Sequence, residues 1–270
     1  MGINTFEDLF LRLSLYDTYT LELTNNIVMK ISDSDRNFTF DCYCVYCKKE
    51  STFRLYSNEF ARSIQFNDAE KELEALNNYE LPRGFHFNCQ RNPLHKYSYY
   101  FTIYGNQLTK IGQSPSVADI EIPQIQKYEK LLKKDYRDFS KAIGLHSHGV
   151  GAGSFVYLRR IFENLIEDMH QEAKQNEHWD DKLYQKSRMD DKIKLLQDKL
   201  PDVLVENRAI YGIMSKGIHE LSEVECKTLF PDVKLGIELI LDEKLYEQEK
   251  QSKRKAFSSF IANTAAKLKS

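Results

Sequence analysis

Three of the chain's five cysteines, Cys42, Cys44 and Cys47, fall inside the ten-residue stretch "DCYCVYCKKE". A second short motif, "CQRNPLHKY", follows downstream and supplies Cys89 and His95. The spacing is then Cys44-x2-Cys47 and Cys89-x5-His95. A two-residue spacer lets both sulfurs of one tight turn face one ion. Thiolates joined by an imidazole make the closed tetrahedral site that structural Zn²⁺ prefers. The flanking segments agree. "NFTFDC" leads into the first turn and "STFRLY" away from it; "GFHFNC" leads into the second and "KYSYYF" away. Two turns at strand ends clamping one ion is the organisation of a zinc ribbon. Cys42 is an alternative to Cys44, because residues two apart on a strand face the same side. His86 is the spare for His95, but it alternates with Phe85, Phe87 and Cys89, which makes it a surface residue. With four ligands in place no position remains for a catalytic water. The ion would hold a small β domain together.

The compartment fits that reading. The opening "MGINTFEDLF" has no basic segment leading into an apolar core. Phe6 stands where a myristoylation signal needs Ser or Thr. A cytoplasmic location is expected, and there clustered thiols bind metal more often than they form disulfides. No apolar run approaches the ~18 residues of a membrane span, so no membrane partner is expected. A net charge of -2 and a pI near 6.4 leave no global nucleic-acid signature. Any basic surface must be local.

The chain changes grammar near Pro123. Before it, β-rich runs dominate: "TYTLEL", "NIVMKI", "NFTFDC", "STFRLY", "GFHFNC" and "KYSYYFTIYG". Gly105-Asn106 reads as a hairpin turn. A short amphipathic helix carrying Phe6, Leu9, Phe10 and Leu13 opens the protein, and Asp68 to Asn78 form another. After Pro123 the reading is helical. "IQKYEKLLKKDYRDFSKAIGL" has helical spacing. "GSFVYLRRIFENLIEDMHQEA" lines Phe155, Leu158, Phe162, Leu165 and Ile166 along one side. Helices follow through "MDDKIKLLQDKL" and "VLVENRAIYGIMSKGI", separated by Pro201, with Gly217 placed to end the second early. Ser222 and Glu225 fit a capping box before a helix through "VKLGIELILDEKLYEQEK". The fold class is α+β. A β-rich, zinc-ribbon-like domain (1–122) precedes an all-α bundle (123–249) and a basic amphipathic tail (250–270), with "QSPSVADIEIP" as the connection.

Three features of the helical half could carry function. Gly149, Gly151, Gly153 and Ser154 precede the long helix, and a glycine-rich entry to a helix N-terminus can seat an anion; a tight turn with close backbone packing explains the same glycines. Arg208, Tyr211, Ser215 and His219 are spaced to share one helix face. Such a face could hold a phosphate and move a proton, with Arg159 and Glu163 completing a polar cluster. An ordinary hydrogen-bonded surface is the plain alternative. The tail carries six Lys/Arg from Lys250 onward and no acid, around an apolar stripe that includes Phe257, Phe260 and Ile261. It could meet nucleic acid, anionic lipid or a partner helix, or pack in a dimer.

"GVGAGSFVYLRRIFENLIE" together with "NRAIYGIMSKGIHELSEVEC" resembles the HEPN superfamily of higher-eukaryote and prokaryote nucleotide-binding helical bundles. The resemblance covers roughly residues 125 to 245, as found behind zinc ribbons in uncharacterised bacterial proteins. It implies a four- or five-helix bundle, commonly dimeric, with roles in toxin–antitoxin, restriction and anti-phage systems. Active members are metal-independent RNases using Arg-x4-6-His across a dimer. Here ten residues separate Arg208 from His219. The resemblance implies a homodimer that engages RNA or a defence-system protein. The alternatives are an RNase using Arg208 and His219, and a nucleotide sensor seated at Gly149–Ser154.

Overall fold

The computed structural model describes residues 3–23, 26–34, 37–61, 66, 68–77 and 81–269, with side chains as far as 264. The chain forms two compact units. The first comprises Met1–Gln126 with Ser140–Ser154; the second comprises Lys127–Phe139 with Phe155–Ser270.

The first unit is built on a six-stranded antiparallel sheet in the order β1-β6-β5-β4-β3-β2. Its strands are β1 (Thr18–Thr20), β2 (Thr39–Cys44), β3 (Lys49–Asn58), β4 (Arg83–Cys89), β5 (Lys96–Tyr104) and β6 (Gln107–Ser114). Strict alternation gives the sheet one buried face. β2 turns Phe40, Cys42 and Cys44 inward, β4 turns Phe85, Phe87 and Cys89, and β5 turns Tyr97, Tyr99, Phe101 and Ile103. The helix α1 (Asp8–Leu11) covers that face, with Phe6, Leu9, Phe10 and Leu13 all buried as their spacing predicts. Phe10 is the hub. Its ring centroid lies 4.9 Å from Phe87, 5.2 Å from Phe85 and 5.2 Å from Tyr99. Gly105 has φ 60° between the paired residues Tyr104 and Gln107, so the expected two-residue hairpin is present.

Several expectations for this unit need correction. "NIVMKI" is not a strand but the helix α2 (Ile27–Ile31). Its β-branched residues misled the propensity argument, and Ile27, Val28 and Ile31 are buried at helical spacing. "TYTLEL" contributes only Thr18–Thr20 to the sheet. The helix α3 (Ala69–Leu76) is capped by Asp68, which accepts from the amides of Glu70 and Lys71. The connection "QSPSVADIEIP" is not irregular. It holds α4 (Val117–Ile125), opened by a Ser116/Asp119 capping box. That signature was readable in the sequence.

The expected long helix after Pro123 is broken. It becomes a 3₁₀ turn at Gln126–Tyr128, α5 (Glu129–Leu132), a second 3₁₀ turn at Lys133–Asp135 and α6 (Tyr136–Ser147), with Lys133 at φ 53°. α7 (Gly151–Ala173) buries Phe155, Leu158, Phe162, Leu165 and Ile166 as the periodicity requires. Then come α8 (Asp181–Lys186), α9 (Met189–Leu195), α10 (Asp202–Glu206), α11 (Ile210–His219) and α12 (Glu223–Lys269). "VLVENRAIYGIMSKGI" is thus two helices, not one, with Arg208 in the turn between them. Nor does Gly217 end α11. It is buried there, and an added Cβ would sit 2.2 Å from the Phe155 ring, so only glycine fits. The Ser222–Glu225 box is present: Ser222 N donates to Glu225 Oε2 at 2.8 Å and Glu225 N to Ser222 Oγ at 3.3 Å. The basic tail is the continuation of α12 as far as Lys269.

One lysine faces the aromatic core of the sheet. Lys110 on β6 is fully buried, and its Nζ donates to Phe10 O and Leu13 O, each at 2.8 Å. It closes the carbonyl end of α1, where helices leave acceptors unsatisfied. Burial depresses its pKa to about 7. A neutral amine has two N–H donors for these two acceptors. Between about pH 7 and the ordinary lysine value the unfolded chain then holds a proton that the folded chain lacks. Stability should rise with pH across that window by up to about 1.4 kcal/mol per pH unit, and this contribution is gone below about pH 7. Chemical denaturation of wild type and Lys110→Met across the window checks this. The wild-type slope should exceed that of the variant.

Candidate metal centre

Each knuckle sits where a strand of the sheet ends. β2 pairs with β3 so that Cys44 lies opposite Lys49, and the turn between them carries Cys47. Lys48 closes the turn at φ 53°, and its amide donates to Cys44 O at 2.8 Å. β3 pairs with β4 with Phe53 opposite Cys89. That register brings the 44–49 turn and the 89–96 turn to the same end of the sheet. His95 N donates to Asn92 O at 3.0 Å, and Cys89 N to His95 O at 3.0 Å. The second turn therefore folds His95 back over Cys89.

One ligand atom from each of Cys44, Cys47, Cys89 and His95 falls within 4.8 Å of all the others. Cys47 Sγ lies 3.8 Å from Cys89 Sγ and 3.2 Å from His95 Nδ1, while Cys44 Sγ lies 3.7 Å from His95 Nδ1. A tetrahedral ion with metal–sulfur bonds of about 2.3 Å sets its sulfurs about 3.8 Å apart. The donor set and its spacing fit such an ion. The four residues proposed from their spacing are therefore the ones brought together. Cys42 is buried on β2 and is not in the cluster. His86 is on the other face, with Nδ1 2.9 Å from Ser98 Oγ and Nε2 3.1 Å from Glu59 Oε1. Cys226 is in the other unit, buried and directed at Gly217 O at 3.2 Å.

The surroundings favour charge at the Cys89 sulfur and oppose it at Cys47. Burial opposes a thiolate at Cys89, but the backbone amides of Asn92 and Arg91, the Ser51 hydroxyl and the neighbouring Cys47 lower its pKa. The Cys47 amide donates to Cys44 Sγ at 3.4 Å. Burial, and then the sulfurs of Cys44 and Cys89, push Cys47 up to about 11. Cys47 would give up its proton on coordinating a divalent cation held there, which would offset that opposition. The imidazole is held on both sides. Its Nε2 is 3.2 Å from the Asn92 amide, and the Tyr46 ring lies over it at 5.1 Å.

Tyr97 is the residue that reading the motifs missed. It is fully buried on β5, accepts from Val45 N at 3.0 Å and donates to Tyr43 O at 2.8 Å. Its hydroxyl thus pins the backbone on both sides of Cys44. Its inward position was legible from the alternation of β5. Its partner across the sheet was not.

The other site residues suggested by the sequence are placed as follows. Arg159, Glu163 and Tyr211 form one cluster. Arg159 Nε donates to Glu163 Oε1 at 2.8 Å, its Nη2 donates to Tyr211 Oη at 3.0 Å, and Tyr211 Oη donates to Glu163 Oε1 at 2.9 Å. Arg208 pairs with Asp190 on α9, Nε to Oδ1 2.5 Å. Ser215 is half-buried on α11, and His219 is exposed at the end of that helix. Gly149 has φ 76°, with the Asp17 carboxylate beside it. Gly151 opens α7, and an added Cβ on Gly153 would meet Val150 at 3.0 Å. Ser154 is buried and donates to Gly151 O at 2.6 Å. His170 was not singled out, yet it is buried on α7 with Nε2 2.7 Å from Asp181 Oδ1 and its ring stacked 3.7 Å from Tyr184.

No family model, curated protein or solved structure matches the chain. No helix among the described residues is long and apolar enough to cross a membrane.

Removing the Tyr97 hydroxyl should leave a folded protein with a looser first knuckle. Tyr97→Phe strands one buried donor and one acceptor, at a cost of about 1–3 kcal/mol. Metal affinity should fall roughly tenfold or more, as for other groups that orient ligands. Competition with a chromophoric chelator measures it, and affinity equal to wild type would remove Tyr97 from the site.

Proposed function

We propose that Zn²⁺ is the ion held by Cys44, Cys47, Cys89 and His95, and that it acts structurally. The observation that carries this is the convergence of three thiols and one imidazole within ligand distance. Soft sulfur donors with one imidazole in tetrahedral spacing favour zinc over magnesium or calcium, which take oxygen ligands. Four protein ligands complete the shell, so the ion contributes folding energy. The wider reading is a zinc-stabilised interaction module acting in the cytoplasm. Its helical half would be HEPN-like, homodimeric, and engaged with RNA or a protein partner in anti-phage defence. The HEPN resemblance supports that reading, and the closed ligand set supports a binding role over metal chemistry.

Two measurements test the proposal. Purified protein should contain about one equivalent of zinc per chain. Cys89→Ser should lose the metal and loosen the first unit, seen as lower protection of its strand amides from exchange. A metal-free chain that stays equally protected would overturn the structural role. Incubation of the full chain with RNA and EDTA should give a mobility shift without cleavage. Cleavage that disappears in His219→Ala would replace the interaction module with an RNase.

A further inference from the structure

α12 carries two apolar stripes, and only one of them is buried in its own unit. Cys226, Phe230, Val233, Ile237, Ile240 and Leu241 are buried. At 100° per residue they occupy one side of the helix. On the opposite side Leu235, Leu239, Tyr246, Phe257, Phe260 and Ile261 are exposed, at 53%, 48%, 63%, 65%, 60% and 50%. These six fall within an arc of about 100°, the width of a helix stripe that packs on a partner. From Gln251 to Asn263 every residue is exposed, so none of them is buried by the described residues of its own unit. Most helical stability comes from packing an apolar face, and a lone segment of this length is marginal in water.

Charge selects the occupant. Residues 238–249 hold five acidic side chains and one lysine, whereas 250–261 hold four Lys/Arg and no acid. Glu238, Asp242 and Glu243 are engaged within the unit by Lys234, Lys127 and the Asp202 and Val203 amides, so Glu247 and Glu249, beside the axis, carry the complementarity. The two stretches are equal in length and opposite in sign. We infer that the exposed stripe of α12 pairs antiparallel with the same stripe of a second copy of this chain, about a two-fold axis between Glu249 and Lys250. In that register each acidic half faces the basic half of the other copy, and Leu239 faces Phe260. Opposite charges flanking an apolar seam set helix orientation in this way. A parallel pair would set acid against acid and base against base. One patch meeting its own copy is the isologous contact of a two-fold dimer. This deepens the interaction-module reading by naming a surface and its partner. It does not use the metal.

The full chain tests it. Sedimentation at tens of micromolar should give a dimer that weakens as salt rises. Phe257→Glu with Phe260→Glu should give a monomer with unchanged helical circular dichroism and zinc content, since both side chains are exposed. Reversing Lys250 and Lys253 to Glu should also dissociate it. Adding Glu247→Lys and Glu249→Lys should restore it, and the fourfold swap keeps the Lys250–Glu247 and Lys253–Glu249 pairs within the helix. Spin labels at Lys250→Cys should lie about 10–20 Å apart and labels at Asn263→Cys about 40 Å apart, from the 1.5 Å rise per residue. Short distances at both positions would mean a parallel pair and overturn the inference. So would a monomeric wild-type chain, or one that uses the stripe to bind anionic vesicles or RNA. Zinc content and mass are read separately, so loss of one with retention of the other shows which reading has failed.

Discussion

The pairing of β3 with β4 is the constraint on which the first unit depends. With Phe53 opposite Cys89, two turns far apart in the chain arrive at one end of one sheet. A slip by one residue would move every inward side chain to the other face. Phe85, Phe87 and Cys89 would leave the core together, and the thiol would leave the cluster with them. The core and the thiol–imidazole cluster are therefore specified by the same register, and a change that loosens one reaches the other.

The rest of the unit supports that register. Phe10 touches rings from β4 and β5, so α1 reports on whether those strands are aligned. Lys110 ties the end of α1 to β6 through two carbonyls. Tyr97 ties β5 to the turn that carries Cys44 and Cys47. Lys110 and Tyr97 are polar groups in an apolar layer with their partners satisfied, as burial requires.

The helical unit is organised by small details of fit. Gly217 is needed where α11 meets the Phe155 ring of α7. His170 joins α7 to Asp181 at the start of α8. Arg159, Glu163 and Tyr211 join α7 to α11. Of these, the pairing of Arg159 with Glu163 and their clustering with Tyr211 were expected from the chain alone, though with Arg208 and His219, which the structure places elsewhere. The others join residues distant in sequence, and no periodicity carries that information. Helix breaks were equally hard to foresee. Lys133 takes a left-handed φ inside a run with good helical spacing, which packing can impose against propensity.

By itself the sequence determined the two kinds of unit, the inward faces of the central strands, the stripe of α7, the Ser222 box and the four residues that meet in the cluster of three thiols and one imidazole. Each rests on a local rule: alternation by two, a period of 3.6, a capping pair, a two-residue spacer between thiols. Tertiary structure decided what local rules leave open. It made "NIVMKI" a helix and broke the helical run after Pro123 at Lys133. It set Arg208 against Asp190, gave the knuckle its Tyr97 pin, and left one face of α12 exposed. Those outcomes depend on which surfaces meet, and that is a property of the whole fold, not of any one stretch of chain.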